Sequence, residues 1–305
     1  MPTYPEYTTD VIYDGSSRRQ FDTCTVTLDT SSIRFETTDF VKEVDLEDIF
    51  DVRLGQPPLS VAGEFNAKTL TIGVRVSASE ADREQDFFFL ESGEPEIDSF
   101  GNALYRTVLN GTELAVRHPT VIGGRRTNSA FTIGTLHVGD RRVGFKEIDV
   151  PFAVDIDSII DFSTNEQELM GETRDVIEVT YVKNGRSIVF ETAIGQERKH
   201  NILGRYLRLE YSKVLRELSN IEISTAEAKA LAVLYSMHGE ATLQSLLNGR
   251  SESSIEVLKF LQKRGLVNGS EGYVQLTPKG WIIISNYLQQ SEGRDRQSRS
   301  EKLTA

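Results

Sequence analysis

Val44-Asp45-Leu46-Glu47-Asp48-Ile49-Phe50-Asp51-Val52 is echoed 110 residues later by Val154-Asp155-Ile156-Asp157-Ser158-Ile159-Ile160-Asp161-Phe162. The same offset carries the match backwards without a gap. Val11-Ile12 falls on Val121-Ile122, Phe21 on Phe131, Thr25 on Thr135 and Phe35 on Phe145. Few residues are identical, but apolar positions coincide: Val26 with Leu136, Leu28 with Val138, Ile33 with Val143. A period-2 pattern held in register over roughly forty residues points to two copies of one structural unit. Two copies fall short of the at least about three that a solenoid needs, so each copy should close its own core.

The chain's 305 residues leave room for two or three domains, and an apolar content of 38% suffices to build their cores. A single cysteine, Cys24, excludes an internal disulfide framework and a thiolate metal site, and fits a reducing cytoplasm. Met1-Pro2-Thr3-Tyr4-Pro5-Glu6 has neither a basic region nor an apolar run, so it does not read as a signal peptide. No stretch approaches the roughly 18 apolar residues of a membrane span. A soluble, cytoplasmic protein without membrane insertion is expected.

The net charge of −12 is unevenly spread. Residues 1–117 hold 22 acidic and 10 basic side chains, residues 118–219 hold 15 and 14, and residues 220–305 hold 9 and 10. The first copy thus carries the excess, which argues against its lying on lipid or nucleic acid. Arg outnumbers Lys by 23 to 11, and the acidic composition suits a salt-rich cytoplasm.

In the first copy, Val11–Tyr13, Phe21–Leu28, Ile33–Phe35, Val44–Leu46, Ile49–Val52, Leu70–Val76 and Asp86–Leu90 read as strands. Leu70–Val76 alternates as a half-buried strand should. Pro95-Glu96-Ile97-Asp98 opens a helix with face Phe100, Ala103, Leu104 and Val108, and Asn110-Gly111 closes it. His118-Pro119 is taken as the joint. The second copy repeats the plan with Ala130–Val138, Arg142–Phe145, Val150–Val154 and Ile156–Phe162. Its Asn184-Gly185 is a two-residue hairpin signal between Val176–Val182 and Ser187–Thr192. A helix over residues 196–219 follows, with Ile202, Leu203, Tyr206, Leu209, Val214, Leu215 and Leu218 as its buried face.

From Ser224 the period becomes helical. Ser224-Thr225-Ala226-Glu227 is a capping-box signature for a helix over 228–237, broken at Gly239. Residues 242–247 form a short helix stopped by Asn248-Gly249, and Ser251 caps a third over 252–264. Tyr273–Thr277 returns as a strand before an apolar helix over 281–288. This order reads as a winged helix. The polar residues 291–305 read as a disordered tail. The expected class is α+β: two tandem β-barrel or curled-sheet domains (1–117 and 118–220), each closed by a C-terminal helix, then a winged helix (221–290) and the tail (291–305). A small curled sheet closed by one helix resembles the pleckstrin-homology (PH) architecture, whose members bind lipids, peptides or proteins.

No catalytic constellation stands out. His118, His137, His200 and His238 are scattered without metal spacing, and neither a phosphate-binding glycine loop nor a nucleophile elbow occurs. Asp45, Asp48, Asp51, Asp155 and Asp161 read as solvated turn residues. No enzyme activity, cofactor or metal is expected. A DNA-reading helix needs Arg, Lys, Asn or Gln in its N-terminal half, whereas Ser251-Glu252-Ser253-Ser254-Ile255-Glu256 carries two carboxylates. Residues 221–290 hold six acidic and six basic side chains, which is no electrostatic footprint for nucleic acid. The alternative, a winged-helix DNA-binding regulator, is therefore disfavoured against protein binding. Arg125-Arg126, Arg141-Arg142 and Arg198, Lys199, Arg205, Arg208, Lys213 and Arg216 are the basic concentrations. Helix-surface pairs with Glu197, Glu210 and Glu217 account for the last group, with docking of an acidic partner as the alternative. The candidate interaction residues are Arg250, Glu252, Glu256, Lys259, Lys263 and Arg264, with Arg205 and Arg208 on the long helix.

The repeated Val-Asp-Leu-Glu-Asp-Ile and Val-Asp-Ile-Asp-Ser-Ile segments, His118-Pro119 with Gly123-Gly124, and the terminal helical region resemble the archaeal taxis protein family CheF over about residues 8–290. That resemblance implies a chemotaxis adaptor. It would link phosphorylated CheY, the response regulator, to switch proteins at the base of the archaellum motor, with CheC- and CheD-type proteins as further partners. It implies no catalytic residue. An open sheet edge would also serve a homodimer.

Overall fold

The structure is a computed structural model and describes residues 6–15, 19–76, 85–91, 93, 95–169, 171–247, 253–270 and 272–289. Strands β1 (Glu6–Asp14), β2 (Arg19–Leu28), β3 (Ser32–Glu36) and β4 (Val41–Asp45) lead through a 3-10 turn, Leu46–Asp48, to β5 (Ile49–Gly55). Then come β6 (Thr69–Arg75), β7 (Gln85–Glu91) and helix α1 (Glu96–Leu109). The plan restarts with β8 (Glu113–Ile122), β9 (Arg125–Arg126), β10 (Thr132–Gly139), β11 (Arg142–Lys146) and β12 (Phe152–Asp155). A second 3-10 turn, Ile156–Ser158, precedes β13 (Ile159–Leu169), β14 (Glu172–Lys183), β15 (Arg186–Ala193) and α2 (Glu197–Leu218). Last come α3 (Thr225–Ser236), β16 (Glu240–Thr242), α4 (Leu243–Leu247), α5 (Ser253–Lys263), β17 (Val267–Ser270), β18 (Tyr273–Leu276) and α6 (278–289).

The fold is α+β and mostly antiparallel. The first sheet is ordered β4-β3-β2-β1-β7-β6-β5 and the second β12-β11-β10-β8-β15-β14-β13, with β9 beside β8. The two orders are the same once each strand is replaced by its counterpart. Both sheets are open, so neither closes into a barrel; of the two forms expected, the barrel is not made.

The 110-residue offset survives in detail. Strand β3 and its counterpart β11 start and end one offset apart, as do the two 3-10 turns. Even the irregularities repeat: the ladder slips between Ile49 and Asp51 opposite β6, and between Ile159 and Asp161 opposite β14. Seven of the paired apolar positions are buried in both copies: Val26/Leu136, Leu28/Val138, Ile33/Val143, Phe35/Phe145, Val44/Val154, Leu46/Ile156 and Ile49/Ile159; Phe21 and Ile122, also matched by the offset, are exposed.

The chain forms two compact units from non-contiguous stretches. The first comprises Met1–Leu114, Ile133–Phe152 and Ile194–Glu210. Its core stacks Phe35 on Phe88 at 3.8 Å between ring centroids and Tyr7 on Phe100 at 5.4 Å. Helix α1 buries Ile97, Phe100, Leu104, Tyr105 and Val108 at helical spacing. Full burial of side chains of this size stabilises by about 1.5–3 kcal/mol each. The second comprises Ala115–Thr132, Ala153–Ala193 and Tyr211–Ala305. Leu231, Leu234, Leu261, Leu266, Leu276 and Ile284 form the centre of its core, joined by Val182, Val214 and Leu218.

Several local readings differ from expectation. Strand β6 is buried on both faces over its first six residues, because Thr69 and Thr71 on the second face are covered too. His118-Pro119, expected at a joint, lies inside β8. Strand β13 runs on to Leu169 through polar residues and pairs with β14 down to Glu172. The short strands β9 and β16 were not expected. Asn184 and Gly185 both have positive φ, 52° and 75°, as a type I′ hairpin turn requires. The capping box at Ser224 forms, its hydroxyl accepting from the Glu227 N–H while Glu227 accepts from the Ser224 N–H. The Asn248-Gly249 stop, the Ser251 cap and the tail 291–305 lie outside the described residues.

Candidate protein-interaction surface

Helix α5 turns Leu258 and Leu261 into the second unit's core. The 3.6-residue period leaves Glu256, Lys259 and Lys263 exposed on the opposite side, flanked by exposed Ile255 and Phe260. Three of the eight candidate residues are thereby brought onto one mixed-charge face with apolar side chains interspersed. Arg250 and Glu252 lie outside the described residues.

Arg264 is used internally. Its Nη1 donates to Glu227 Oε1 at 2.8 Å, its Nη2 to the Glu222 carbonyl at 2.6 Å, and its guanidinium lies 5.6 Å from the Phe260 ring centre. It ties the end of α5 to the capped start of α3. Burial would raise the Glu227 carboxyl, but hydrogen bonds from Ser224 and Arg264 hold it below the ordinary glutamate range. Arg205 belongs to the first unit, where its Nε lies 3.0 Å from Asp51 Oδ1. Arg208 is exposed on the same helix.

Three basic residues of α2, Arg198, Lys199 and Arg205, are matched by tertiary partners that the helix-surface expectation missed. Lys199 Nζ donates to Glu47 Oε1 at 3.0 Å, and Arg198 pairs with the same carboxylate. Asp51, expected to be solvated, is buried and held by Arg205 and by Arg53 at 2.9 Å. Asp45, Asp48, Asp155 and Asp161 are exposed, as read.

Burial pushes the Cys24 thiol up to about 11, which keeps it protonated and poorly nucleophilic. His118 Nε2 lies 2.9 Å from the Tyr181 hydroxyl, and burial pulls its pKa down to about 4. Among the described residues no three His, Cys, Asp or Glu side chains cluster as metal ligands would, and no helix is long and apolar enough to cross a membrane.

A cleft of about 900 Å³ in the second unit went unnoticed in the sequence. Its lining includes Arg125 and Arg126 of β9, Arg186 of β15, and Met237, Glu240 and Tyr273. Only the Arg125-Arg126 pair gave a sequence signal; the remaining lining comes from separate stretches of chain.

With this geometry in view, residues 11–213 match the model of a protein family, the archaeal chemotaxis signal transduction system protein F. The chain belongs to that CheF family. Taxis protein CheF2 of Halobacterium salinarum is 27% identical over 248 residues, which span 81% of this chain and 83% of the relative. Taxis protein CheF1 of the same organism is 27% identical over 140 residues, 46% of this chain and 47% of the relative. Among solved structures, the inner membrane complex sub-compartment protein 3 of Toxoplasma gondii aligns with 34% of this chain and 77% of its own, at 14% identity and a TM-score of 0.25. That likeness is too slight to bear on the fold. The CheF match makes the protein an archaeal chemotaxis signalling protein.

Proposed function

We propose that the protein is a cytoplasmic taxis adaptor that binds phosphorylated CheY and the archaellum switch proteins, and so couples signalling to the motor. CheC- and CheD-type proteins are its further partners, and its working position is the base of the archaellum. The observation that carries this reading is the family match over residues 11–213. In the same proposal the chain is organised as PH-like domains at 1–117 and 118–220 and a winged helix at 221–290. Two sheets of the same strand order, each followed by a helix, support the first assignment. The order α3, α4, α5, then the β17–β18 hairpin supports the second. DNA binding draws no support, since α5 exposes Glu256 beside its lysines and residues 118–305 balance 24 acidic against 24 basic side chains.

An adaptor must prefer one state of its partner, and coupling of this kind is typically worth about 1–3 kcal/mol. The exposed face Glu256, Lys259 and Lys263 is assigned to one of the two partners. The test immobilises the full-length protein and measures capture of CheY with its phosphoacceptor site empty or occupied by beryllofluoride. Stronger capture of the occupied form is expected, and equal capture of both overturns the reading. The triple variant E256K/K259E/K263E should weaken CheY or the switch proteins while sparing the other. Loss of both or of neither overturns the assignment of that face.

A further inference from the structure

We infer that the arginine-lined cleft of the second unit is a docking site for an acidic peptide segment of a protein partner, one that also carries an apolar anchor. The charge is the first argument. Arg125 and Arg126 are exposed and form no ion pair among the described residues. Glu178, half buried, is the carboxylate that feels Arg126, through space. Arg186 is opposed by Glu240 at 3.7 Å, with its side chain still 64% exposed. Three guanidinium groups therefore face one carboxylate across a single cleft, on a chain whose overall charge is −12. Guanidinium groups are suited to binding carboxylates in bidentate fashion.

The walls are preformed. Ile122 and Val121 pair with Arg125 and Arg126 across a turn in which Gly123 and Gly124 take positive φ, 52° and 78°. A Cβ on Gly124 would stand 3.2 Å from the His238 ring, and one on Gly239 would strike the Gly185 carbonyl and the Trp281 ring. The Gly123 N–H donates to the Ser187 carbonyl at 2.8 Å, and the Leu276 N–H to the Gly239 carbonyl at 2.7 Å. Glycines thus let β9, the β14–β15 turn and the start of β16 approach closely, so little ordering remains when a ligand enters.

The surface between the charges selects the class of ligand. Ile122, Met237 and Tyr273 are 39%, 42% and 49% exposed there, offering apolar area that a free phosphate cannot use. A duplex or a membrane would need a broad basic field, and residues 118–305 are neutral overall. A short acidic segment with one apolar side chain satisfies both parts of the cleft.

This inference stands apart from the CheY reading, since it concerns no particular partner. The probe is a fluorescein-labelled synthetic peptide of alternating glutamate and leucine, titrated against the full-length chain by anisotropy. A control peptide has glutamine at every glutamate position. Binding of the acidic peptide alone is expected, weakened about tenfold or more in the R125E/R126E variant, the change expected from losing one charge-assisted contact. These arginines are exposed, so the variant's thermal unfolding should match that of the parent; K259E/K263E should bind as the parent does. Hydrogen exchange should slow at residues 121–127 and 237–242 when the peptide is bound. Equal binding of both peptides or undiminished binding by R125E/R126E would overturn the site, as would displacement of the peptide by inorganic phosphate, anionic vesicles or duplex DNA at equal charge concentration.

Discussion

The segment Val44–Val52 and its counterpart Val154–Phe162 share a bulge, a 3-10 turn and three buried apolar positions, yet they hold their helices by different chemistry. In the first, carboxylates act: Glu47 binds Lys199 and Arg198, and buried Asp51 binds Arg205, all on the N-terminal part of α2. In the second, Asp161 is exposed, and an aromatic contact takes over. Phe162 meets Tyr211 edge-on at 5.7 Å, and the Tyr211 hydroxyl donates to the Ile160 carbonyl at 2.6 Å. One device is common to both, since the Tyr105 hydroxyl of α1 donates to the Val52 carbonyl at 2.8 Å. A duplicated backbone can thus be kept while the side chains that dock its helices diverge, because the bulge and turn are set by local apolar spacing and the docking pairs are not.

The sharpest test of that difference is Asp51→Ala against Asp161→Ala. The first leaves Arg205 partly buried without its carboxylate. Breaking a fully buried pair costs about 3–5 kcal/mol, and the 30% exposure of the Arg205 side chain moves the expectation down to about 2–3 kcal/mol. The second change should stay within about 0.5 kcal/mol, as at other open surface sites. Urea unfolding of both variants compares them; equal losses would mean that the two segments are held alike.

Next in size is the residue facing the bulge. Asp51 lies opposite Gly73, whereas Asp161 lies opposite Thr180. A Cβ on Gly73 would sit 2.7 Å from the Phe50 ring and 3.1 Å from the Asp51 Cβ, while the second copy places Ile160 at the position of Phe50. Gly73→Thr should therefore cost about 1–3 kcal/mol through overpacking. Adding Phe50→Ile, which copies the second segment, should return part of that loss. Thermal unfolding of the single and double variants gives the answer, and an unrescued double variant would show that the strain lies in the backbone.

These two contrasts also show what could be read beforehand. The repeat was visible because buried positions of paired strands recur every second residue. The burial of Asp51 was not visible, since Arg205 lies far along the chain and no local rule joins them. The polar end of β13, Ser163 to Leu169, gave no strand signal because β13 is an edge strand whose pairing with β14 needs backbone groups and little apolar surface. Strands β9 and β16, of two and three residues, are shorter than any periodicity. The arginine cleft was hidden for the same reason as Asp51: its walls meet only after folding.

The shared tyrosine device should give a smaller, graded effect. Tyr105 is buried to 1% exposure, and burial pushes its hydroxyl pKa upward. Tyr211 is half buried, with its pKa pushed up to about 12. Each phenylalanine substitution removes a donor from a strand carbonyl. At Tyr105 water cannot replace it, so a loss near the upper end of about 1–3 kcal/mol is expected, and at Tyr211 one near the lower end. Denaturant midpoints at constant slope would establish the ranking; a larger loss at Tyr211 would mean that burial of the hydroxyl does not set the cost of losing it.

The smallest effect is expected from Glu47, whose side chain is 67% exposed. The hydrogen bond from Lys199, helped by the one from Arg198, holds its carboxyl below the ordinary glutamate range against the opposing effect of burial. A carboxylate with a depressed folded pKa binds fewer protons than it does in the unfolded chain, so its stabilisation is fully present above the unfolded value. It is lost as pH falls through the folded one. Glu47→Gln keeps an oxygen acceptor for both donors, so although the Lys199 and Arg198 side chains are only 11% and 12% exposed the loss at neutral pH should be about 1 kcal/mol. The difference from the parent should shrink as acid protonates Glu47 in the parent as well. Added salt should narrow the same gap, because the Glu47 carboxylate is largely solvated. Urea midpoints of parent and variant across the acidic range measure it. A gap that widens toward low pH would mean that Glu47 is not held by its cationic partners on α2, and would remove the electrostatic half of the contrast between the two segments.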